Sequence, residues 1–216
     1  MIPFNLIVGI IIDMIGVIDV KSGNIGSLIK VLDHLELQNE IVRKPERLNK
    51  YEFLILPGIG AFDYFINNLK EYGFFEYLSN KENFSKQTLI GICLGMQVLG
   101  NSSQEGIENG LSLINGTNIK FDHRITKVPN IGWHYSKLIK LENRLSYFNQ
   151  EDQRFYFCHS YHFKTDDKNV LAKSFNGQEF NSIIKHPNYH IFGFQFHPEK
   201  SHNFGIKLLG EMLCGT

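Results

Sequence analysis

Residues 88–97 read TLIGICLGMQ, which sets an apolar run, a cysteine between two nearby glycines and a second apolar segment side by side. Residues 88–92 predict a strand buried on both faces, and residues 94–100 are expected to be helical. A turn this tight between strand and helix favours glycine at neighbouring positions and pushes the central side chain out of the sheet. Free N–H groups at the helix start favour a thiolate. The pattern therefore predicts a nucleophilic Cys93, against the alternative of a small buried structural cysteine.

Two further strand–helix units precede this stretch. Residues 15–20 are typical of a strand buried on both faces, and apolar residues follow at helical spacing over residues 25–35. Residues 53–56 predict another strand that ends in the sequence PGIGAF, and residues 62–69 carry one apolar helix face. Short buried strands that alternate with helices predict an α/β fold with a central, mostly parallel sheet flanked by helices.

The second half of the chain changes to strand-like runs at hairpin spacing, with an Asn-Gly turn signal at 176–177. These runs predict an antiparallel extension of the sheet, and residues 204–213 predict a closing helix. We interpret residues 14–216 as a single domain. Residues 1–13 are an apolar N-terminal extension, either an over-long start or an extra strand. They are too short to span a bilayer and lack the basic leader of a signal peptide.

The composition excludes several classes of function. The 216 residues contain 22 Lys+Arg and 22 Asp+Glu, so the formal net charge is zero. No field exists to attract nucleic acid or an anionic membrane, and neither partner is expected. The three cysteines form no CxxC pair, and their odd number disfavours a disulfide framework. A reducing cytoplasm is the expected compartment.

A proton acceptor for the thiol is predicted in the sequence QFHPE, residues 195–199. His197 and Glu199 are two residues apart at the end of a predicted strand, so both side chains can point to one side. The imidazole can then face the thiol with the carboxylate behind it. A structural histidine is the alternative interpretation. His186 and His190 are only a weak metal signal, because a third ligand is missing, and no metal site is predicted.

Acyl transfer also requires hydrogen-bond donors for an oxyanion. The N–H of Leu94, directly after the nucleophile, is one candidate. The other is the turn of Gly58, Ile59 and Gly60 at the end of a neighbouring strand, where the N–H of Ile59 is expected to face Cys93. Taken alone, this glycine turn could equally be a simple turn.

Three segments in matching order, PGIGAF, GICLGMQ and QFHPEKS, resemble those of the class I (triad) glutamine amidotransferases. The further segments SQEG, GLSLI, PNIGWH and YFCHSY resemble those of the glutaminase subunits of imidazole glycerol phosphate synthases. The resemblance covers about residues 15–213 and implies the family's flavodoxin-like architecture. It implies that Cys93 attacks the side-chain amide of L-glutamine, that His197 moves the proton to departing ammonia, and that Glu199 orients His197. No cofactor is implied.

The resemblance also implies residues that bind the substrate. Gln97 and Glu105 match family positions that hold glutamine, and Glu105 suits its α-ammonium group. Ser160 and Tyr161 match the segment that receives its α-carboxylate through backbone N–H groups. Gln97 lies one predicted helical turn beyond Cys93, on the same side. An ordinary solvated loop carboxylate remains the alternative for Glu105.

The chain has no place to use ammonia, because it lacks a phosphate-binding glycine loop and is too short to add a (β/α)8 barrel of about 250 residues. The resemblance implies a partner, the cyclase subunit of a heterodimer, which is such a barrel and uses the ammonia in histidine biosynthesis. Candidate contacts are Asn24, Trp133, Tyr156 and Lys200, each of which could also be an ordinary surface or core residue. We expect low activity of the lone chain until the glycine turn presents the Ile59 N–H inward.

Two segments depart from the family pattern: DVKSGN in the first strand–helix turn, and GWH in place of the more common Gly-Trp-Asn. They leave open a paralogue that supplies ammonia for the amidation of a surface sugar. From another class, the chain could be a catalytically silent partner-binding module. A thiol hydrolase such as a peptidase is a third alternative, although it would give no reason for Gln97 and Glu105.

Overall fold

Residues 14–149 and 153–214, which the computed structural model describes, form twelve strands and five α-helices. The strands are β1 Ile15–Ile18, β2 Asn39–Val42, β3 Phe53–Gly58, β4 Thr88–Cys93, β5 Ser102–Ser103, β6 Gly116–Lys120, β7 Asn130–Leu138, β8 Arg154–His159, β9 Tyr161–Thr165, β10 Val170–Asn176, β11 Gln178–Lys185 and β12 Ile191–Phe194. The helices are α1 Ile25–His34, α2 Phe62–Glu71, α3 Phe74–Ser79, α4 Leu94–Gln97 and α5 His202–Cys214.

Nine of the strands form one mixed sheet in the order β2-β1-β3-β4-β12-β11-β10-β7-β8. The five strands from β2 to β12 are parallel, and the neighbouring pairs from β12 to β8 are antiparallel. A second sheet has the order β5-β6-β9. The α/β prediction with an antiparallel extension is confirmed. One assignment differs: the run before Phe196, grouped with the antiparallel part from the sequence, forms β12 and pairs parallel to β4.

Strand alternation sends side chains into two separate cores, one on each face of the parallel strands. Ile55 belongs to the core that α1 and α5 cover. Its neighbours Leu54 and Leu56 belong to the core that α2 and α3 cover. All residues of β1, β3 and β4 are buried. Burial on both faces explains why these strands are continuous apolar runs.

The closing helix and the predicted hairpin turn are both present, with Gly177 at φ +70° between β10 and β11. The helix after Cys93 is shorter than the predicted 94–100, because α4 ends at Gln97. Beyond that residue the chain tightens into bonds such as Leu99 N–H to the Met96 carbonyl (3.1 Å), and it then turns toward β5.

No helix within the described ranges is long and apolar enough to cross a membrane. The predicted N-terminal extension, residues 1–13, lies outside the described residues, so its status stays a prediction.

Candidate active site

Cys93 lies at the carboxyl end of β4 in a strained conformation, with φ 56° and ψ −109°, directly before α4. The chain folds back so closely here that side chains have no room. A Cβ on Gly91 would lie 2.4 Å from the Gly95 carbonyl oxygen, and one on Gly95 would lie 1.8 Å from the Leu56 carbonyl oxygen. Glycine is therefore required at both positions. The turn has the geometry of a nucleophile elbow.

The Cys93 side chain is more enclosed than the sequence suggested. We expected the thiol to stand out from the sheet, but only 5% of the residue is exposed. Its Sγ lies 3.8 Å from the Cys158 carbonyl oxygen and 4.0 Å from the Gln195 Nε2. Because α4 is a single turn, the helix dipole adds little at this site, and nearby donors and charges govern the thiol instead.

His197 and Glu199 form a buried pair, with 2.8 Å between Nδ1 and Oε1 and side-chain exposures of 4% and 5%. The sequence placed both side chains on one side through strand alternation. The structure instead ends β12 at Phe194 and folds Pro198–Lys200 into a 3₁₀ turn, which brings the carboxylate back under the ring. The His197 N–H donates to the Tyr156 carbonyl (2.9 Å), which fixes the turn against β8.

The surroundings of the His197 imidazole favour its protonated form. Burial lowers the pKa of His197, but its interactions with Cys93 and then with Glu199 outweigh burial and raise the pKa to about 10. Glu199 Oε2 is buried and has no hydrogen-bond partner among the described residues. The imidazolium is thus the main compensation for that carboxylate charge. The three side chains can exchange a proton between sulfur and imidazole and hold the resulting ion pair.

The predicted oxyanion donors differ in orientation. Leu94 opens α4, where N–H groups have no intrahelical acceptor. Gly58 pairs with Cys93 in the β3–β4 register. The Ile59 N–H, however, donates to the Ser22 carbonyl (2.9 Å), and the Ser22 Oγ donates to the Ile59 carbonyl (2.8 Å). In this conformation the Ile59 N–H is therefore occupied and does not serve an oxyanion.

Gly60, the last residue of this turn, has φ +101°, a backbone conformation that glycine tolerates best. We call residues 57–60 the PGIG turn.

Of the predicted substrate residues, Gln97 and Tyr161 are in direct contact. Gln97 is buried, and its Nε2 donates to the Tyr161 carbonyl (2.8 Å). Ser160 lies between β8 and β9, immediately before Tyr161.

Glu105 is engaged elsewhere, because its Oε2 accepts the Phe62 N–H (2.9 Å) at the start of α2. The pKa of Glu105 is raised, mainly by burial and also by the nearby Asp63, although the hydrogen bond from the Phe62 N–H lowers it. The carboxylate thus links its own loop to the helix that follows the PGIG turn.

Three of the four predicted partner contacts lie close together, and the fourth lies at the start of α1. Trp133 and Tyr156 face each other across β7 and β8, with ring centroids 5.9 Å apart. Lys200 Nζ lies 5.9 Å from the Tyr156 ring, and His202 stacks on Trp133 at 4.8 Å. Trp133 is 40% exposed, so it is not mere core filler. Asn24 is exposed at the start of α1.

Sequence reasoning missed Ser22 and Gln195. The sequence indicates only a turn at Ser22, because its bonds to Ile59 join residues 37 positions apart. Gln195 stands in the QFHPE segment, two residues before His197, where strand alternation could have placed it on the same side.

Comparison with known proteins identifies the family. A family model for glutamine amidotransferase class-I matches residues 16–209, most of the chain. The chain belongs to the class I glutamine amidotransferases. Among relatives of this amidotransferase, imidazole glycerol phosphate synthase subunit HisH 2 of Methanococcus maripaludis is 43% identical over 202 residues, covering 93% of this chain and 98% of the relative. Subunit HisH of Leptospira interrogans is 38% identical over 201 residues, covering 91% and 97%.

Solved structures share the amidotransferase fold. PurLQS from Thermotoga maritima superposes with a TM-score of 0.72 at 20% identity, covering 93% of this chain and 97% of the matched chain. A structure described as a glutamine amidotransferase gives 0.69 at 18% identity, covering 94% and 99%. At such low sequence identities these structures show only that the fold is shared.

Proposed function

We propose that this amidotransferase is the glutaminase subunit of an imidazole glycerol phosphate synthase, which releases ammonia from L-glutamine for a cyclase subunit in histidine biosynthesis. The observation that carries the chemistry is the buried His197–Glu199 pair beside the strained Cys93. The choice of pathway rests on the HisH names of the relatives, with matches that cover nearly the whole of both chains.

Cys93 is the proposed nucleophile. The thiolate attacks the side-chain amide carbon of glutamine, and the electrons of the C=O bond move to oxygen. His197 gives its proton to the amide nitrogen as the C–N bond breaks, so that ammonia leaves and a γ-glutamyl thioester remains. A water molecule, deprotonated by the now neutral His197, then cleaves the thioester to glutamate. Glu199 holds the ring in the orientation for both transfers.

For substrate binding we propose the residues that the resemblance to the family implies. Gln97 is proposed to hold the glutamine side chain or its backbone from the α4 side, and the N–H groups of Ser160 and Tyr161 to receive the α-carboxylate. Glu105 is proposed to meet the α-ammonium group. Glu105 also accepts the Phe62 N–H, so substrate bound to Glu105 would affect the position of the segment directly after the PGIG turn.

The PGIG turn is proposed to limit the lone chain. Two N–H groups are expected to bind the oxyanion. The Ile59 N–H is bonded to Ser22, so of these two only the Leu94 N–H is free of that bond. Rotation of the Gly58–Ile59 peptide would break the bond to Ser22 and aim the second N–H at the oxyanion. Loss of one such donor typically costs about 100- to 1000-fold in rate.

The proposed partner is a cyclase subunit with a (β/α)8 barrel, bound as a heterodimer. Ammonia that escapes into water is protonated and lost as a nucleophile, so the site must open into the partner. The exposed Trp133 with Tyr156 and Lys200 supports docking next to the His197 turn, and Asn24 is proposed to extend that surface. The three free cysteines fit a reducing cytoplasm.

The test is a glutamate-release assay of the wild type and Cys93→Ala, each with and without a histidine-pathway cyclase subunit. We expect release only with Cys93 present and strong stimulation by the cyclase. Activity retained by Cys93→Ala would refute the nucleophile. Stimulation only by the barrel of a sugar-amidating system would indicate the paralogue, and no glutamate release under any condition would indicate a silent binding module.

A further inference from the structure

Gln195 is wholly buried next to the nucleophile, and the chemistry described above gives it no role. Its N–H donates to the Ser182 carbonyl (2.9 Å), which fixes the chain directly after β12. The next side chain, Phe196, stacks on Phe155 with ring centroids 4.2 Å apart. The side chains of Gln195 and His197 both approach Cys93, with the Gln195 Nε2 4.0 Å from Sγ.

The hydrogen bonds around Gln195 fix which end of its amide faces the sulfur. The Tyr161 carbonyl is an acceptor only, so the Gln97 atom 2.8 Å from it must be the nitrogen. That same Gln97 nitrogen lies 3.1 Å from Gln195, and a donor there requires the Gln195 oxygen. The remaining end of Gln195, its NH₂ group, then faces Cys93 Sγ at 4.0 Å.

A hydrogen-bond donor next to Cys93 Sγ favours the thiolate over the neutral thiol. The Cys158 carbonyl, 3.8 Å from Sγ, can only accept a hydrogen bond and so favours the neutral thiol. The Gln195 NH₂ can only donate, and so favours the thiolate. Both Cys93 and Gln195 are buried, where an amide donor to an anion is worth more than in water.

We propose that Gln195 is a positioning residue of this site, which stabilises the Cys93 thiolate through its NH₂ group and fixes the Gln97 amide through its carbonyl oxygen. The role in glutamine hydrolysis rests on the proposed function, whereas the effect on the sulfur does not. Removal of the donor is expected to leave less Cys93 as thiolate at neutral pH and to loosen Gln97.

The test measures the thiolate directly. Cys93 ionisation is followed by the ultraviolet absorbance of the thiolate. For each variant, the absorbance of the same protein with the additional substitution Cys93→Ser is subtracted. Iodoacetamide alkylation is also followed across pH, with peptides resolved by mass spectrometry. The exposed Cys158 in the same molecules is the internal reference. Gln195→Met removes the donor at similar length, and Gln195→Glu keeps the shape and the oxygen toward Gln97 but places a second oxygen against the sulfur.

The matched control is Gln87→Met. Gln87 is also a buried glutamine, but its hydrogen bonds lie away from Cys93: its Nε2 donates to the Leu48 (2.7 Å) and Tyr51 (2.6 Å) carbonyls, and its Oε1 accepts from the Tyr77 hydroxyl. We expect Gln195→Met to lower the rate of Cys93 alkylation about tenfold at pH values below the midpoint of the pH profile. This corresponds to a shift of the midpoint by about one pH unit. Gln195→Glu should lower it further, and Gln87→Met should not change it.

An unchanged Cys93 profile in Gln195→Met would overturn the proposal. If that variant does not fold, Gln195→Glu decides, because an unchanged profile there is equally incompatible with a donor at the sulfur. Failure of the proposed function looks different: wild type with its cyclase would release no glutamate, while the Cys93 profiles would still separate the Gln195 variants from the control.

Discussion

Acidification is expected to destabilise this fold through two buried histidines, His159 and His162, that lie side by side under Phe121. The His159 Nδ1 lies 2.7 Å from the Tyr161 carbonyl, and its Nε2 lies 2.9 Å from the Asn130 side-chain nitrogen. These partners fit a neutral ring that donates from Nδ1 and accepts at Nε2. A proton added at Nε2 would meet another donor.

The size of the effect follows from the pKa values. Burial lowers the pKa of His159 from 6.5 to about 3 and the pKa of His162 from 6.5 to about 4, the latter also with a contribution from Lys164. Between pH 6.5 and these values the unfolded chain binds protons that the folded chain does not. Stability therefore falls as pH falls, by about 1.4 kcal/mol per pH unit for each group. From pH 8 to pH 5 the loss is about 2 kcal/mol for each histidine, or about 4 kcal/mol in all.

Urea unfolding at pH 8 and pH 5 measures this loss. Carboxylates and the other histidines also contribute to the wild-type difference, and His197, whose pKa is raised, contributes with the opposite sign. The decisive quantity is therefore the change caused by His162→Gln. We expect that variant to lose about 2 kcal/mol less than the wild type on acidification. The exposed His123→Gln is the control and should behave as the wild type. An equal loss in wild type and His162→Gln would refute the reasoning.

Three further predictions, made with four substitutions, test the remaining geometry. Gly95→Ala forces a Cβ to 1.8 Å from the Leu56 carbonyl oxygen and should lower the free energy of unfolding by about 2–4 kcal/mol, whereas Gly210→Ala, with 3.5 Å of space in α5, should raise it by about 0.5–1. Equal urea midpoints for the two would contradict the elbow geometry. Glu199→Gln should lower kcat at least about 100-fold in the presence of the proposed cyclase, and a wild-type kcat would exclude a role for Glu199 in orienting His197. Ser22→Ala removes one bond that holds the PGIG turn and should raise partner-free glutamate release about fivefold; an unchanged rate would disprove that restraint.

The parts of the fold that could be predicted are those written in local patterns. β1, β3 and β4 are buried on both faces, so their sequences are continuous apolar runs of strand length. β2 was missed because its four residues, NEIV, include two polar side chains and only one buried residue. β5 was missed because it has two residues and depends on its pairing with β6.

The site divides in the same way. Cys93, His197 and Glu199 stand in short motifs whose spacing indicates their chemistry, and the structure brings them together. The 3₁₀ turn that aligns Glu199 depends on packing against β8 and could not be predicted from spacing. The bonds from the Ser22 hydroxyl to the Ile59 carbonyl and from the Phe62 N–H to the Glu105 carboxylate join positions 37 and 43 residues apart. No local pattern reports contacts of that kind.

The most direct test of the central claim is to trap the acyl group on the sulfur. The protein, together with the proposed cyclase partner, is mixed with glutamine, quenched in acid during turnover and digested for peptide mass analysis. We predict that the Cys93 peptide carries one γ-glutamyl group, and that the Cys158 and Cys214 peptides remain unmodified. Glutamate release without any adduct on Cys93, or at an unchanged rate in Cys93→Ser, would contradict the account.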